Sequence, residues 1–167
     1  MKRILMIAVA MLPLMLMAQA RIGIVNSQNI FELMPEKAAA EAQLKAMSEK
    51  YHAEYELLRG EFDKKYADYQ TVAADASMPE TIKERRVQEL QESDKKMREF
   101  ERRAADDLAA RRTALTQPIT DKIQAAIRAA GEQGGFDLVF DIAVTPVAYT
   151  GPNTVDITPM VKSILGL

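Results

Sequence analysis

Residues 44–69 read LKAMSEKYHAEYELLRGEFDKKYADY. Large apolar and aromatic side chains stand at Leu44, Met47, Tyr51, Tyr55, Leu58, Phe62, Tyr66 and Tyr69, at spacings of 3, 4, 4, 3, 4, 4 and 3, with charge concentrated between them. That is one face of a helix. Each of the first five recurs 11 residues later, a period of about 3.67 residues per turn, which predicts a nearly straight or slightly right-handed coil instead of a left-handed heptad coil. The pattern extends over Glu36 to Ala74. A helix of about 40 residues is about 60 Å long, more than one small core can cover.

The turn falls at Ala74-Asp75-Ala76-Ser77-Met78-Pro79-Glu80, where Ser77 and Glu80 have capping-box spacing and a first-turn proline costs no hydrogen bond. A second helix is expected from Met78 to about Arg112, with Leu90, Met97, Phe100, Ala104, Leu108, Leu115 and Ile119 on its stripe. Met97 and Leu108, Ala104 and Leu115, and Leu108 and Ile119 repeat the 11-residue spacing. Two helices of like length and period joined by a short turn form an antiparallel hairpin, here residues 36–117 with its tip near 74–80. Pro118 removes the bond to the Ala114 carbonyl and predicts a kink or hinge there. Ile119, Ile123 and Ile127 continue the pattern until Gly131, where the helix is expected to close.

The two ends obey another grammar. Between Ile24 and Ala130 the sole glycine is Gly60, whereas five glycines and three prolines follow from Gly131 onward. Arg21-Ile22-Gly23-Ile24-Val25-Asn26 suits a buried strand, and Ser27 to Met34 a brief helix that Pro35 ends or redirects. Phe136-Asp137-Leu138-Val139-Phe140-Asp141 is the strongest strand signal in the chain. A further strand is expected at about Val144 to Tyr149, then a turn at Gly151-Pro152-Asn153 and a last helix with Thr158 as N-cap and Pro159 next. Strand one must therefore meet strands from residues 118–167, giving an α+β fold in which residues 21–35 and 118–167 form a small body and the hairpin projects from it. So little sheet leaves edges and a face exposed, and oligomerisation is the remedy. Ile22, Ile24, Val25, Leu138, Val139, Phe140, Val147 and Tyr149 are expected to carry it.

The chain has 167 residues, no cysteine and a formal net charge of -2. Lys2 and Arg3 precede an uncharged run from Ile4 to Met17, and Ala18-Gln19-Ala20 supplies small residues at a cleavage site. This is the pattern of a secretory signal peptide, residues 1–20, cut after Ala20. Its 14 apolar residues, interrupted by Pro13, fall short of the ~20 a spanning helix needs. Without cysteine there is no lipid attachment, disulfide or thiolate metal site. The mature chain keeps 147 residues with 20 basic against 24 acidic side chains, net -4. That charge disfavours nucleic acid as a partner.

Chemistry-bearing clusters are absent from the sequence. His52, the one histidine, follows Tyr51 on a charged helix and reads as a solvated surface residue. Asp137 and Asp141 share a strand face about 13 Å apart, too far for a glycosidase pair, and read as strand-end residues. No nucleophile, base and orienting group can be assembled, so neither an enzyme nor a metal or cofactor is expected.

Ile22-Gly23-Ile24-Val25-Asn26, a short helix with Phe31, the long charged hairpin, then Phe136-Asp137-Leu138-Val139-Phe140-Asp141, Val147-Ala148-Tyr149 and Asp156-Ile157-Thr158 together resemble the Skp/OmpH family of periplasmic chaperones. The resemblance covers the whole mature chain. It implies a homotrimer with a β-barrel body and three helical tentacles around a cavity, holding unfolded outer-membrane proteins without ATP until they reach outer-membrane assembly. The chain fits in lacking a phosphate-cradling glycine loop. The apolar stripe is expected chiefly to pack one helix on the other, and the resemblance implies that its part near the tentacle tip also contacts client, at Tyr66, Tyr69, Val72, Met78 and Ile82. The best-known members are strongly basic, whereas residues 36–117 here carry 16 basic and 18 acidic side chains. Some members have a lipopolysaccharide site of basic tentacle residues. Arg85-Arg86, Arg102-Arg103 and Arg111-Arg112 are basic pairs, but none is assigned that role, and outer-membrane lipid enters only as a partner the resemblance implies. The rival from another class is an envelope coiled-coil spacer or assembly scaffold with a folded partner.

Overall fold

In a computed structural model, residues 20–167 are described; the expected signal peptide, up to residue 19, lies outside them. The order is β1 (Ile22–Val25), α1 (Ser27–Leu33), α2 (Pro35–Ala74), α3 (Glu80–Gly134), β2 (Leu138–Asp141), β3 (Val155–Asp156) and α4 (Thr158–Leu165). The chain divides into one unit of the terminal segments, up to Glu32 and from Lys122 to Leu167, and a second of Leu33–Asp121. No helix among the described residues is long and apolar enough to cross a membrane.

The terminal unit holds a three-stranded sheet in the order β2-β1-β3, both pairings parallel. Ile22 faces Leu138 and Ile24 faces Phe140, while Gly23 faces Val155 and Ile24 faces Asp156. Parallel neighbours need a long crossover, and the residues between β1 and β2 supply it. Strand one thus meets the C-terminal segment as its sequence implies. The expected strand at Val144 to Tyr149 does not form: 142–145 are a turn, 146–149 are irregular, and Val144 and Tyr149 are 76% and 81% exposed. A strand needs a hydrogen-bonding neighbour, and the two-residue β3 takes the place beside β1. Val147 and Tyr149 therefore lie in a loop.

Burial alternates along β1, with Gly23 and Val25 inward. Ile30, Ile123, Ala126, Ala130, Ile157 and Val161 are buried in the same unit, the α3 residues recurring every 3 or 4 positions. Gly23 leaves room for close packing: a Cβ there would stand 3.3 Å from each of Ile157, Phe136 and Val139.

Several ends differ from their sequence-based placement. The helix does not close at Gly131, which stays inside α3; Gly135, with φ +62°, makes the stop, and Phe136 N–H donates to the Gly131 carbonyl at 3.0 Å. Thr158 is the first residue of α4 rather than its cap. The Asp156 carboxylate accepts from its N–H at 2.8 Å, leaving the Thr158 hydroxyl to accept from Asn26 N–H at 3.2 Å. Asp137 accepts from Arg21 N–H, and Asp141 accepts from Ser27 and Ala143 N–H at 3.1 and 3.0 Å, so each carboxylate closes an element end. α3 begins at Glu80, not Met78, and the capping box is not made. Ser77 instead folds back on Asp75, whose carboxylate accepts from its N–H at 2.8 Å and its hydroxyl at 2.6 Å. Those bonds, the hydroxyl's first, hold the Asp75 pKa below its ordinary value. Helical assignment continues without a break through Pro118. Around it the hydroxyls of Thr113, Thr116 and Thr120 donate to carbonyls one turn back, a habit that favours bending.

Candidate functional site

Two apolar surfaces stand out, one in each unit. The first is the outer face of the sheet. Ile22, Ile24, Leu138 and Phe140 share it by register, and no helix of the chain's terminal unit hides it: Leu138 is 49% and Phe140 37% exposed. Parallel sheets are ordinarily covered on both faces. Val25 and Val139 belong to the other side, where Val25 is fully buried in the chain's own core. Of the six expected assembly residues on the strands, only Val25 is buried; Ile22, Ile24 and Val139 are half-buried, and Leu138 and Phe140 are exposed. Ile142, Val155, Met160 and Ile164, each 38–39% exposed, are further apolar positions of this unit that the sequence did not single out for assembly. Their partial exposure depends on turns and pairings that periodicity does not encode.

The second surface is the hairpin of α2 and α3. Tyr51 hydroxyl donates to Asp107, Arg111 donates to Gln43 at 2.8 Å, and the Tyr51 and Phe100 rings meet edge-on at 6.0 Å. Glu101 lies beside Tyr55. Partner numbers fall on α3 as they rise on α2, which is antiparallel packing.

Burial corrects the expected period. Leu44, Met47, Tyr51, Tyr55, Leu58 and Phe62 keep the 11-residue relation, but the seam then passes through Lys65, Tyr69 and Val72, and Tyr66 is 47% exposed. From Tyr51 to Val72 the spacings become 4, 3, 4, 3, 4, 3, a heptad stagger. α3 matches it, with Lys83, Arg86, Leu90, Ser93, Met97, Phe100 and Ala104 along the seam toward the tip and the 11-residue relation returning from Met97 to Ile119. Ser93 is 5% exposed, a small side chain where the helices approach.

The seam is poorly covered. Tyr51, Tyr55, Leu58, Phe62, Tyr69, Met97 and Phe100 are all half-buried and none is buried. Of the expected client residues, Tyr69, Val72 and Met78 are half-buried, whereas Tyr66 and Ile82 are open at 47% and 40%. Tyr66 stacks on Phe62 with centroids 6.3 Å apart. Leu57 and Val87, 66% and 36% exposed, extend this apolar surface and were missed. The Leu57-Leu58 doublet was the available signal, since only one of two neighbours can enter a seam.

His52 is exposed, and no cluster of three metal-ligating side chains occurs among the described residues. Arg86, then Arg85, hold the Glu89 pKa below its ordinary value through hydrogen bonds and charge. Hydrogen bonds to Asp107 and Glu101 push the Tyr51 and Tyr55 hydroxyls up. A raised phenol pKa adds stability that is fully present below its unfolded value near 10 and is lost as pH rises through the folded value. On raising the pH from 7 to 11, thermal unfolding is expected to show a smaller loss in Tyr51→Phe/Tyr55→Phe than in the parent protein. An equal loss in both would refute the assignment.

Comparison with known proteins follows this geometry. Residues 21–165 match the family model for outer membrane protein (OmpH-like). A crystal structure from Caulobacter crescentus CB15, assigned as an OmpH-like outer membrane chaperone, superposes with a TM-score of 0.67 at 16% identity, covering 89% of this chain and 85% of that one. At that identity the likeness speaks for the fold. No curated protein matches the sequence significantly.

Proposed function

Because the chain belongs to the OmpH-like outer membrane protein family, we propose that it is an ATP-independent periplasmic holdase for unfolded outer-membrane proteins. One observation carries this: two long helices leave their shared apolar stripe half-covered and place Leu57, Tyr66, Ile82 and Val87 in the open. A folded partner would call for a shaped surface. A half-covered stripe flanked by charge suits many weak, exchangeable contacts with an extended chain, and Tyr and Met suit such contacts by being amphipathic and flexible.

In this reading three copies associate through Ile22, Ile24, Leu138 and Phe140, with Val147 and Tyr149 contributing from their loop. Val25 and Val139 support that face from behind. Tyr66 and Ile82 touch client directly, while Tyr69, Val72 and Met78 offer their uncovered halves. Pro118, with its flanking threonines, serves as hinge. Export by the signal peptide delivers the protein to the periplasm, and outer-membrane lipid is a secondary partner. Clients are then passed to outer-membrane assembly.

The test is aggregation of a urea-denatured porin diluted into buffer. The purified mature protein is expected to be oligomeric at micromolar concentration and to suppress aggregation without nucleotide; a monomer, or no suppression, overturns the proposal. Replacing Leu57, Tyr66, Ile82 and Val87 together by serine is expected to weaken client binding about tenfold, and each alone less than about threefold, because each exposed side chain contributes a fraction of a kcal/mol. Helical content should be unchanged, since these side chains stand outside the seam. A single substitution with the whole effect would point to a shaped binding site, as the scaffold alternative requires.

A further inference from the structure

Arg21 is held at four points. Its N–H donates to Oδ2 of Asp137 at 2.7 Å, and its carbonyl accepts from Asp137 N–H at 3.0 Å. Its guanidinium donates to the Gly134 carbonyl and lies 4.5 Å over the Phe136 ring. Ladder register explains the carbonyl bond, since Ile22 faces Leu138 and one further step brings Arg21 to Asp137. It does not explain the carboxylate, because strand N–H groups ordinarily pair with backbone carbonyls. A separation of 2.7 Å is that of a charge-assisted bond to a carboxylate. Ala20 is exposed, and the family match begins at Arg21.

We propose that Asp137 is the receptor for an α-ammonium at Arg21, the group created when the chain is cut between Ala20 and Arg21. This rests on the reading of the protein as exported. Hydrolysis breaks the C–N bond between the two residues: the water oxygen stays on Ala20 as part of a carboxylate, and the freed amine takes up a proton. An α-amino group has a pKa of about 7.7–8.0, so at neutral pH it is mostly cationic. Before the cut this nitrogen offers one N–H and no charge. Afterwards it offers three donors and a positive charge to the carboxylate already in place. Processing therefore converts a hydrogen bond from a neutral amide to the carboxylate, just before β1, into an ion pair, and the body becomes more stable on losing its leader.

Urea unfolding at fixed protein concentration tests this on the chain of residues 21–167 and on a form retaining Ala20, each with Asp137 or D137N. Retaining Ala20 keeps the total charge but moves the ammonium one residue away. With Asp137 present it is expected to raise the unfolding constant about threefold, the scale of an exposed ion pair. In D137N it should have no effect. An equal effect in both backgrounds, or none in either, overturns the proposal. Should D137N fail to fold, the rate at which an amine-directed acylating reagent modifies the α-amine of residues 21–167 decides: several-fold slowing relative to the chain in urea supports the pairing, and no slowing overturns it. The mass of the exported protein reports separately on the cut. A start other than Arg21 defeats the processing step, while the unfolding comparison still reports on Asp137.

Discussion

Changing Leu138 and Phe140 together to aspartate is expected to convert the proposed assembly into single chains. Both side chains lie on the outer face of a parallel sheet, at 49% and 37% exposure, beside Ile22 and Ile24 in register. Covering what remains open on two large apolar residues stabilises an interface by about 2–3 kcal/mol per protomer, which alone is thirtyfold to over a hundredfold in association. Aspartate at both positions removes that gain and brings carboxylates of neighbouring copies together without partners, at further cost. The substitutions barely touch the chain's own core, since Val25 and the α3 residues lie on the opposite face. Sedimentation at micromolar concentration should show a folded, helical monomer, and porin aggregation should proceed almost as without chaperone. A variant that stays oligomeric would move assembly to the 142–149 loop, whose Val144 and Tyr149 are the most exposed large apolar residues of this unit.

The second large effect belongs to the inner side of the same sheet. Ile157 is 1% exposed, its N–H donates to the Ile24 carbonyl at 2.9 Å, and its methyl group approaches the space above Gly23. Ile157→Ala leaves the backbone bond intact and opens a cavity bounded by the sheet. Such truncations cost roughly 2–5 kcal/mol, depending on how far the site collapses. A body with so few fully buried large side chains, chiefly Val25, Ile30, Ile157 and Val161, has little with which to offset the loss. The expected result is a fall in the thermal midpoint of about 5–15 °C, with the far-UV signal of α2 and α3 retained below the transition. Gly23→Val should destabilise by the opposite route, because its side chain would meet three neighbours already 3.3 Å from the Cβ position. A midpoint shift under about 2 °C for Ile157→Ala would mean that this residue is not part of the core.

Much of the architecture was legible from local pattern. The span of α2, the tip, and the pairing of the first strand with the C-terminal segment all follow from spacing, turn residues and the position of glycines. The resemblance to the OmpH-like family agrees with the match over residues 21–165. What escaped reading was selection among neighbours. Tyr66 continues an 11-residue series on paper, yet Lys65 takes the seam position because a lysine stem can lie along apolar surface while its charge reaches water. Leu57 competes with Leu58 and is left outside. The loop at 144–149 has strand-forming residues yet pairs with no strand among the described residues. Its part in the proposed assembly, like that of the other residues named for it, depends on groups that other copies would bring.

The sequence by itself determined the helices, because helix formation and amphipathicity are read over a few turns of chain and need no distant partner. It also determined that the two ends must meet, since neither could satisfy a strand alone. Only the tertiary structure decided the parallel register, which side of the sheet is left open, where the seam changes from an 11-residue to a heptad relation, and that Asp137 stands opposite Arg21. Those are pairings between residues far apart in sequence, and a pairing is fixed by which backbone groups and volumes fit together at once.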